Sequence, residues 1–257
     1  MRRLLAVLVL ALAALLAVGI ARRRPAAGPA EGATTASAGE AAAGSASPGA
    51  TAGTPAGLDS RTRGTALALL AREAGQTYLD SMLLSTDSLV RRWPLREGAP
   101  FRIALIEGGM ADGGVRLAGF VREAASRWEA SGVGFWYTFS GDSAAADIVV
   151  QWHESFGQGN QAGVTDLRWS NAGPVVRAYI TLATRNAGDS LFTDEALLGA
   201  AVHELGHAMG LPHSADSGDV MYPVTRVTLP SRRDQATTRL LYALPIGSLR
   251  APVPANP

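Results

Sequence analysis

Cysteine is absent from the 257 residues. The chain therefore has no disulfides and no thiolate metal ligands, and cysteine usage says nothing about redox compartment. Lysine is absent too, so all 23 basic residues are arginines, and histidine occurs only four times. No strong charge excess exists either. The formal net charge is +1, and setting aside the five arginines at positions 2, 3 and 22–24 leaves 18 basic groups against 22 acidic ones. Such a balance implies neither nucleic acid nor an acidic surface as partner. What is plentiful is apolar content, at 47%, enough for one good-sized core with appendages.

The appendages lie at the N-terminus. Met1-Arg2-Arg3 precedes an uncharged, mostly apolar run over residues 4–20, and Ala21 is followed by three more arginines. A basic start followed by an apolar stretch reads as an export signal, although this run is also at the lower limit for spanning a bilayer. Residues 1–21 are thus expected to be a signal peptide or a membrane anchor, with the tether, if retained, running through residues 4–20. Either way the rest of the chain is expected outside the cytoplasm, secreted or anchored. Residues 22–57 are nearly all Ala, Gly, Ser, Thr and Pro, a composition with too little to bury, and read as a disordered linker. From 58 to 98 apolar residues return at helical spacing (Leu67, Leu69, Leu70; Tyr78, Leu79, Met82, Leu83; Leu89, Val90, Trp93). The spacing predicts two helices divided at Gly75, the second ended by Pro94.

Residues 99–257 read as an α+β domain. Strands are expected over 101–107, 135–140, 146–152, 163–170 and 175–184, a mixed five-stranded sheet. One helix over 115–130 carries Leu117, Phe120, Val121, Ala124, Ala125 and Trp128 on a single stripe. A second starts after Thr193, with Asp194 and Glu195 in its first turn, and a closing helix spans 235–243.

Three of the four histidines fall in His203-Glu204-Leu205-Gly206-His207-Ala208-Met209-Gly210-Leu211-Pro212-His213. On a helix, His203 and His207 are one turn apart on one face, where both can reach a single Zn²⁺. Gly210 suits the sharp turn that ends such a helix, and Leu211 and Pro212 carry His213 back as third ligand. Three protein ligands leave the fourth position open for water, the mark of a catalytic zinc site. Glu204 is expected not to bind metal but to take the proton from the zinc-bound water.

This pattern resembles the metzincin metalloproteases, whose HExxHxxGxxH signature is followed by a Met-turn, here Asp219-Val220-Met221-Tyr222-Pro223. With Ser214 after the third histidine and Pro223 closing the turn, the run is most similar to the matrixin branch. The resemblance implies a metzincin fold with an active-site helix and a C-terminal helix, Met221 as a soft floor beneath the imidazoles, and one catalytic zinc. It also implies endopeptidase activity on protein or peptide substrates, by a monomer, with the substrate adding to an exposed sheet edge. That edge is expected on the fourth strand, around Val164, Thr165, Asp166 and Leu167.

Departures from the family carry their own expectations. The segment 58–98 stands where matrixins carry an inhibitory propeptide, but latency through a cysteine thiolate is excluded. Pro223 occupies the place where some metzincins have a zinc-binding tyrosine, so Tyr222 is not expected to be a ligand. Thr225 replaces a tyrosine that often walls the specificity pocket. His153 alone cannot form a second zinc site and reads as a strand-end residue. Asp142, Asp147, Asp166 and Asp189 are too scattered for a calcium site, so Ca²⁺ is not expected. The same zinc chemistry on an unusual amide or processing substrate is a second reading. A tethered zinc-containing binding module without proteolytic activity is a third, against which the intact Glu204 speaks.

Overall fold

A computed structural model describes residues 37–38, 57–80, 83, 88–96, 98–106, 114–157, 159–170 and 173–251. The expected signal or anchor, and the tether apart from residues 37–38 and 57, lie outside them. In chain order the elements are β1 (Ser37–Ala38), α1 (Ser60–Arg72), β2 (Leu89–Val90), β3 (Phe101–Ile106), α2 (Gly114–Ala130), β4 (Tyr137–Ser140), β5 (Ile148–His153), β6 (Gln161–Trp169), β7 (Val175–Ala183), α3 (Asp194–Ala208), α4 (Arg232–Ala243) and β8 (Gly247–Ser248).

Five strands make the mixed sheet that the sequence predicts, in the order β6-β7-β5-β3-β4, and the two residues of β1 add to its β6 edge. Strands β4, β3, β5 and β7 run parallel; β6 is antiparallel to β7. The parallel centre suits the continuous apolar run Ile148-Val149-Val150, all three of whose residues are buried. The main core lies between the sheet and the helices. Ile103, Ile148, Val150, Ile180 and Leu182 meet the inward stripe of α2, where Leu117, Val121, Ala124 and Trp128 recur every three or four residues. A small second cluster of Ala104, Ala146 and Val149 covers the opposite face.

Helix α3 is wedged between α2 and the strands β6 and β7. Thr193 caps it, its side chain accepting from the Ala196 amide at 3.2 Å, and nearly every residue from Leu197 onward is buried. Its C-terminal carbonyls are buried as well, and aromatic groups satisfy them. The Trp93 indole N–H donates to the Ala208 carbonyl at 2.7 Å, and the Tyr242 hydroxyl to that of Met209 at 3.0 Å. Helix α4 begins three residues before the expected Gln235. Ser231 and Asp234 form a reciprocal capping box there, a local signal that outweighs the weak apolar pattern of the first turn.

The segment 58–98 departs from its expected pair of helices. Helix α1 forms and ends before Gly75, which adopts φ +79°, but the second helix does not reach Pro94. Ser88 takes φ +60°, and Leu89–Val90 pair antiparallel with β8. Apolar spacing alone cannot separate a helix from a short strand whose partner lies far along the chain. Ala66, Leu70, Tyr78, Leu79, Val90 and Trp93 belong to the same core as the helices and sheet.

Candidate active site

Helix α3 presents His203 and His207 one turn apart, and its end delivers His213. Gly210 is the pivot: its φ is +96°, its amide donates to the His207 carbonyl at 2.8 Å, and the Leu211 amide donates to that of Gly206 at 3.1 Å. This pair of bonds is a Schellman turn, which reverses the chain at once and favours glycine. The three rings converge, with centroids 4.6 Å apart for His203 and His207, 4.7 Å for His207 and His213, and 5.3 Å for His203 and His213. One nitrogen from each lies within 4.8 Å of the others, the sole such cluster among the described residues. His153 ends β5, exposed.

The main chain orients the two helical imidazoles. His203 Nδ1 donates to the Val220 carbonyl at 2.6 Å, and His207 Nδ1 donates to the Leu211 carbonyl at 2.8 Å. Each Nε2 is thereby left with its lone pair. The Val220 peptide is in turn fixed from its other side, its amide donating to Asp234 Oδ2 at 2.9 Å. Asp234 Oδ1 accepts the Tyr78 hydroxyl at 2.7 Å, so a residue from the segment 58–98 supports the turn below His203. Nearby, buried Asp219 gathers the hydroxyls of Ser214 and Ser231 and the Arg233 guanidinium. Burial by itself would raise the Asp219 carboxyl, but those three partners together hold it below the usual carboxylate range.

Met221 is fully buried, with its sulfur against Gly206 of α3, where even a methyl group on the glycine would collide with it. Pro223 follows the turn closed by the Tyr222 amide on the Asp219 carbonyl at 3.2 Å. Thr225 is buried and donates to the Val227 carbonyl at 3.2 Å.

Glu204 faces β6. It is fully buried, and the Thr165 hydroxyl lies 2.7 Å from its Oε2 and 3.0 Å from its own backbone carbonyl. Its Oε1 has no hydrogen-bond partner, and the same is true of His203 Nε2. Two orphaned buried polar atoms are a cost that a bound ion or water would offset.

The matrixin family profile matches residues 115–242, which contain all of these groups. The chain belongs to the matrixin family. Matrixins are zinc-dependent metalloproteases. No curated protein matches the chain.

The residues present fit the matrixin metal. Their donors are imidazole nitrogens of the kind zinc prefers, two of them set in the right tautomer by backbone carbonyls, and one has no other partner. The electrostatics agree. Burial, with the neighbouring imidazoles, pushes His203 well below its ordinary value, and burial likewise takes His207 down to about 3. Both rings therefore stay neutral and able to ligate. Burial raises Glu204 to about 8, opposed by the Thr165 hydrogen bond.

Of the edge residues named from sequence, Asp166 is exposed, Val164 and Leu167 are half-buried, and Thr165 points inward to Glu204. Strand β6 is one of the two edge strands of the five, β4 being the other. Ser37–Ala38 pair with it in parallel at Gln161 and Gly163, and among the described residues nothing pairs with the outer side of Val164–Trp169. Sequence reasoning missed Gly163, Asp234 and Tyr78. Only the Ser231–Asp234 capping box was visible as a local pattern, and nothing local joins Tyr78 to a residue 156 positions away.

Proposed function

We propose that this matrixin is a zinc endopeptidase that hydrolyses peptide bonds in proteins, with Glu204 as its general base and His203, His207 and His213 as its ligands. The observation that carries the reading is the pairing of a buried carboxylate, one oxygen of it unpartnered, with three convergent imidazoles. Zinc bound there supplies Lewis acidity, lowering the pKa of water to about 7 and polarising a carbonyl. The chain's own residues do the rest. An extended peptide pairs main chain to main chain along the outer side of Val164–Leu167, which sets its carbonyls at the depth of α3. Glu204 Oε1, free of hydrogen bonds, takes a proton from water and passes it to the departing amine. Burial alone favours the protonated carboxyl, and a zinc ion beside it would favour the ionised form that accepts the proton. Met221 and the Val220 peptide hold the helix and the first imidazole still. The enzyme acts outside the cytoplasm as a monomer, exported or anchored through residues 1–21. Residues 58–98 remain part of the catalytic unit rather than a removable propeptide, because Trp93 and Tyr78 are built into its core.

Casein digestion with and without a chelator, alongside metal analysis, tests this. Chelator-sensitive cleavage with one zinc per chain is expected, and Glu204→Gln should keep the zinc while losing turnover. A protein that holds zinc yet cleaves no substrate would be the binding module instead.

A further inference from the structure

The inner face of β6 forms a socket for the Glu204 side chain, and we propose that Gly163 and Thr165 are positioning residues that set the carboxylate for proton transfer. The proposal rests on Glu204 being the base. Residues two apart on a strand face the same way, so both look down on α3. At Thr165 the hydroxyl carries a single hydrogen, and its nearer acceptor is Oε2, at 2.7 Å, rather than the Glu204 carbonyl at 3.0 Å. That bond engages one oxygen and leaves Oε1 without a partner.

Gly163 closes the other side. A Cβ there would stand 2.5 Å from Glu204 Cγ and 2.6 Å from Oε1, closer than real side chains approach. Its backbone does not adopt positive φ, so the glycine is needed for space and not for conformational freedom. The carboxylate thus rests on bare backbone at one oxygen and on a hydroxyl at the other. Packing fixes where it lies, and the hydrogen bond fixes how it is turned. A base held this way loses little rotamer freedom when it acts, and small displacements of such a group are costly in rate.

Thr165→Val keeps the shape of the side chain and removes the hydroxyl; Thr165→Ser keeps the hydroxyl. On a peptide substrate, Thr165→Val should lower kcat by about 10- to 100-fold with KM within about twofold and zinc content unchanged, the size of one hydrogen bond to a charged group. Thr165→Ser should restore kcat to within about threefold, and Gly163→Ala should lower kcat at unchanged zinc content. A second readout needs no metal. Urea unfolding of the zinc-free wild type, Thr165→Val, Glu204→Ala and the double variant should show the two side chains coupled by about tenfold in the unfolding constant.

A Thr165→Val kcat within about twofold of wild type would overturn the proposal, as would coupling below about twofold. Failure of Thr165→Ser to rescue, or loss of zinc from Thr165→Val, would mean that Thr165 is merely structural. Should Thr165→Val not fold, Gly163→Ala decides alone: unchanged kcat overturns the socket. If the wild type cleaves nothing, the reading of the function falls, while the metal-free coupling still decides the socket.

Discussion

The two halves of this site are held by different materials. On the imidazole side the two helical rings are oriented by main chain: His203 by the Val220 carbonyl and His207 by the Leu211 carbonyl, with the Val220 peptide itself clamped by Asp234. On the carboxylate side Glu204 is turned by one hydroxyl, that of Thr165, over a glycine. A carbonyl is present whatever residue carries it, whereas a hydroxyl disappears with a single substitution. Metal binding should therefore withstand most changes near the site, and catalytic orientation should not.

That contrast can be broken in order of expected effect. Removing a ligand is the harshest test: His203→Ala should abolish both zinc binding and turnover, while Glu204→Gln should cost about 10³-fold or more in kcat with zinc intact, read by metal analysis beside peptide cleavage. Equal loss of zinc in both variants would erase the distinction between the halves. Next comes the support of the imidazole side. Asp234→Ala leaves the Val220 amide and the Tyr78 hydroxyl without their acceptor and should destabilise the fold by about 2–4 kcal/mol, with zinc affinity down about tenfold. Denaturant titration and competition with a chelator measure the two effects, and no change in zinc affinity would detach Asp234 from the metal side.

The pH dependence of the zinc-free protein separates the halves by sign. Folded Glu204 holds its proton up to about pH 8, but unfolded glutamate releases it near 4.3, so stability falls as pH rises between those values. Folded His203 and His207 resist protonation, and unfolded histidine gains it below about 6.5, so their stability falls as pH drops through that point. With two imidazoles against one carboxyl, thermal stability of the metal-free protein should peak between about pH 6 and 7. Glu204→Gln should remove the decline above the peak, roughly 1–2 kcal/mol by pH 8, and leave the acid side in place. A decline that persists in the variant would refute the burial argument for Glu204. The smallest effect concerns the open edge. Because Ser37–Ala38 occupy the outer side of β6 at Gln161 and Gly163, Ala38→Pro should free that stretch and lower KM for long peptides by about two- to threefold, with kcat unchanged.

Much of the fold was legible because its signals are local. The stripe of α2, the Thr193 cap with its acidic first turn, and the β-branched centre of β5 each declare an element within a dozen residues, and these boundaries came within one or two positions. The segment 58–98 was misread beyond α1 because the partner of Leu89–Val90 is β8, near the other end of the chain. At the site the same division holds. The spacing of His203, Glu204, His207, Gly210 and His213 states its purpose through helix periodicity and one positive-φ turn. Thr165 reads from the sequence as part of the substrate edge; that its side chain faces Glu204 instead depends on how β6 lies across α3.

By itself, then, the sequence settled which residues could hold a metal and on what kind of element they sit, since a helix repeat and a glycine turn are short-range matters. Which groups hold those residues still was decided by the tertiary structure alone. Val220, Asp234, Tyr78, Gly163 and Thr165 act across separations that no local pattern encodes, and only the packing of α3 between the sheet and the Met-turn brings them into contact.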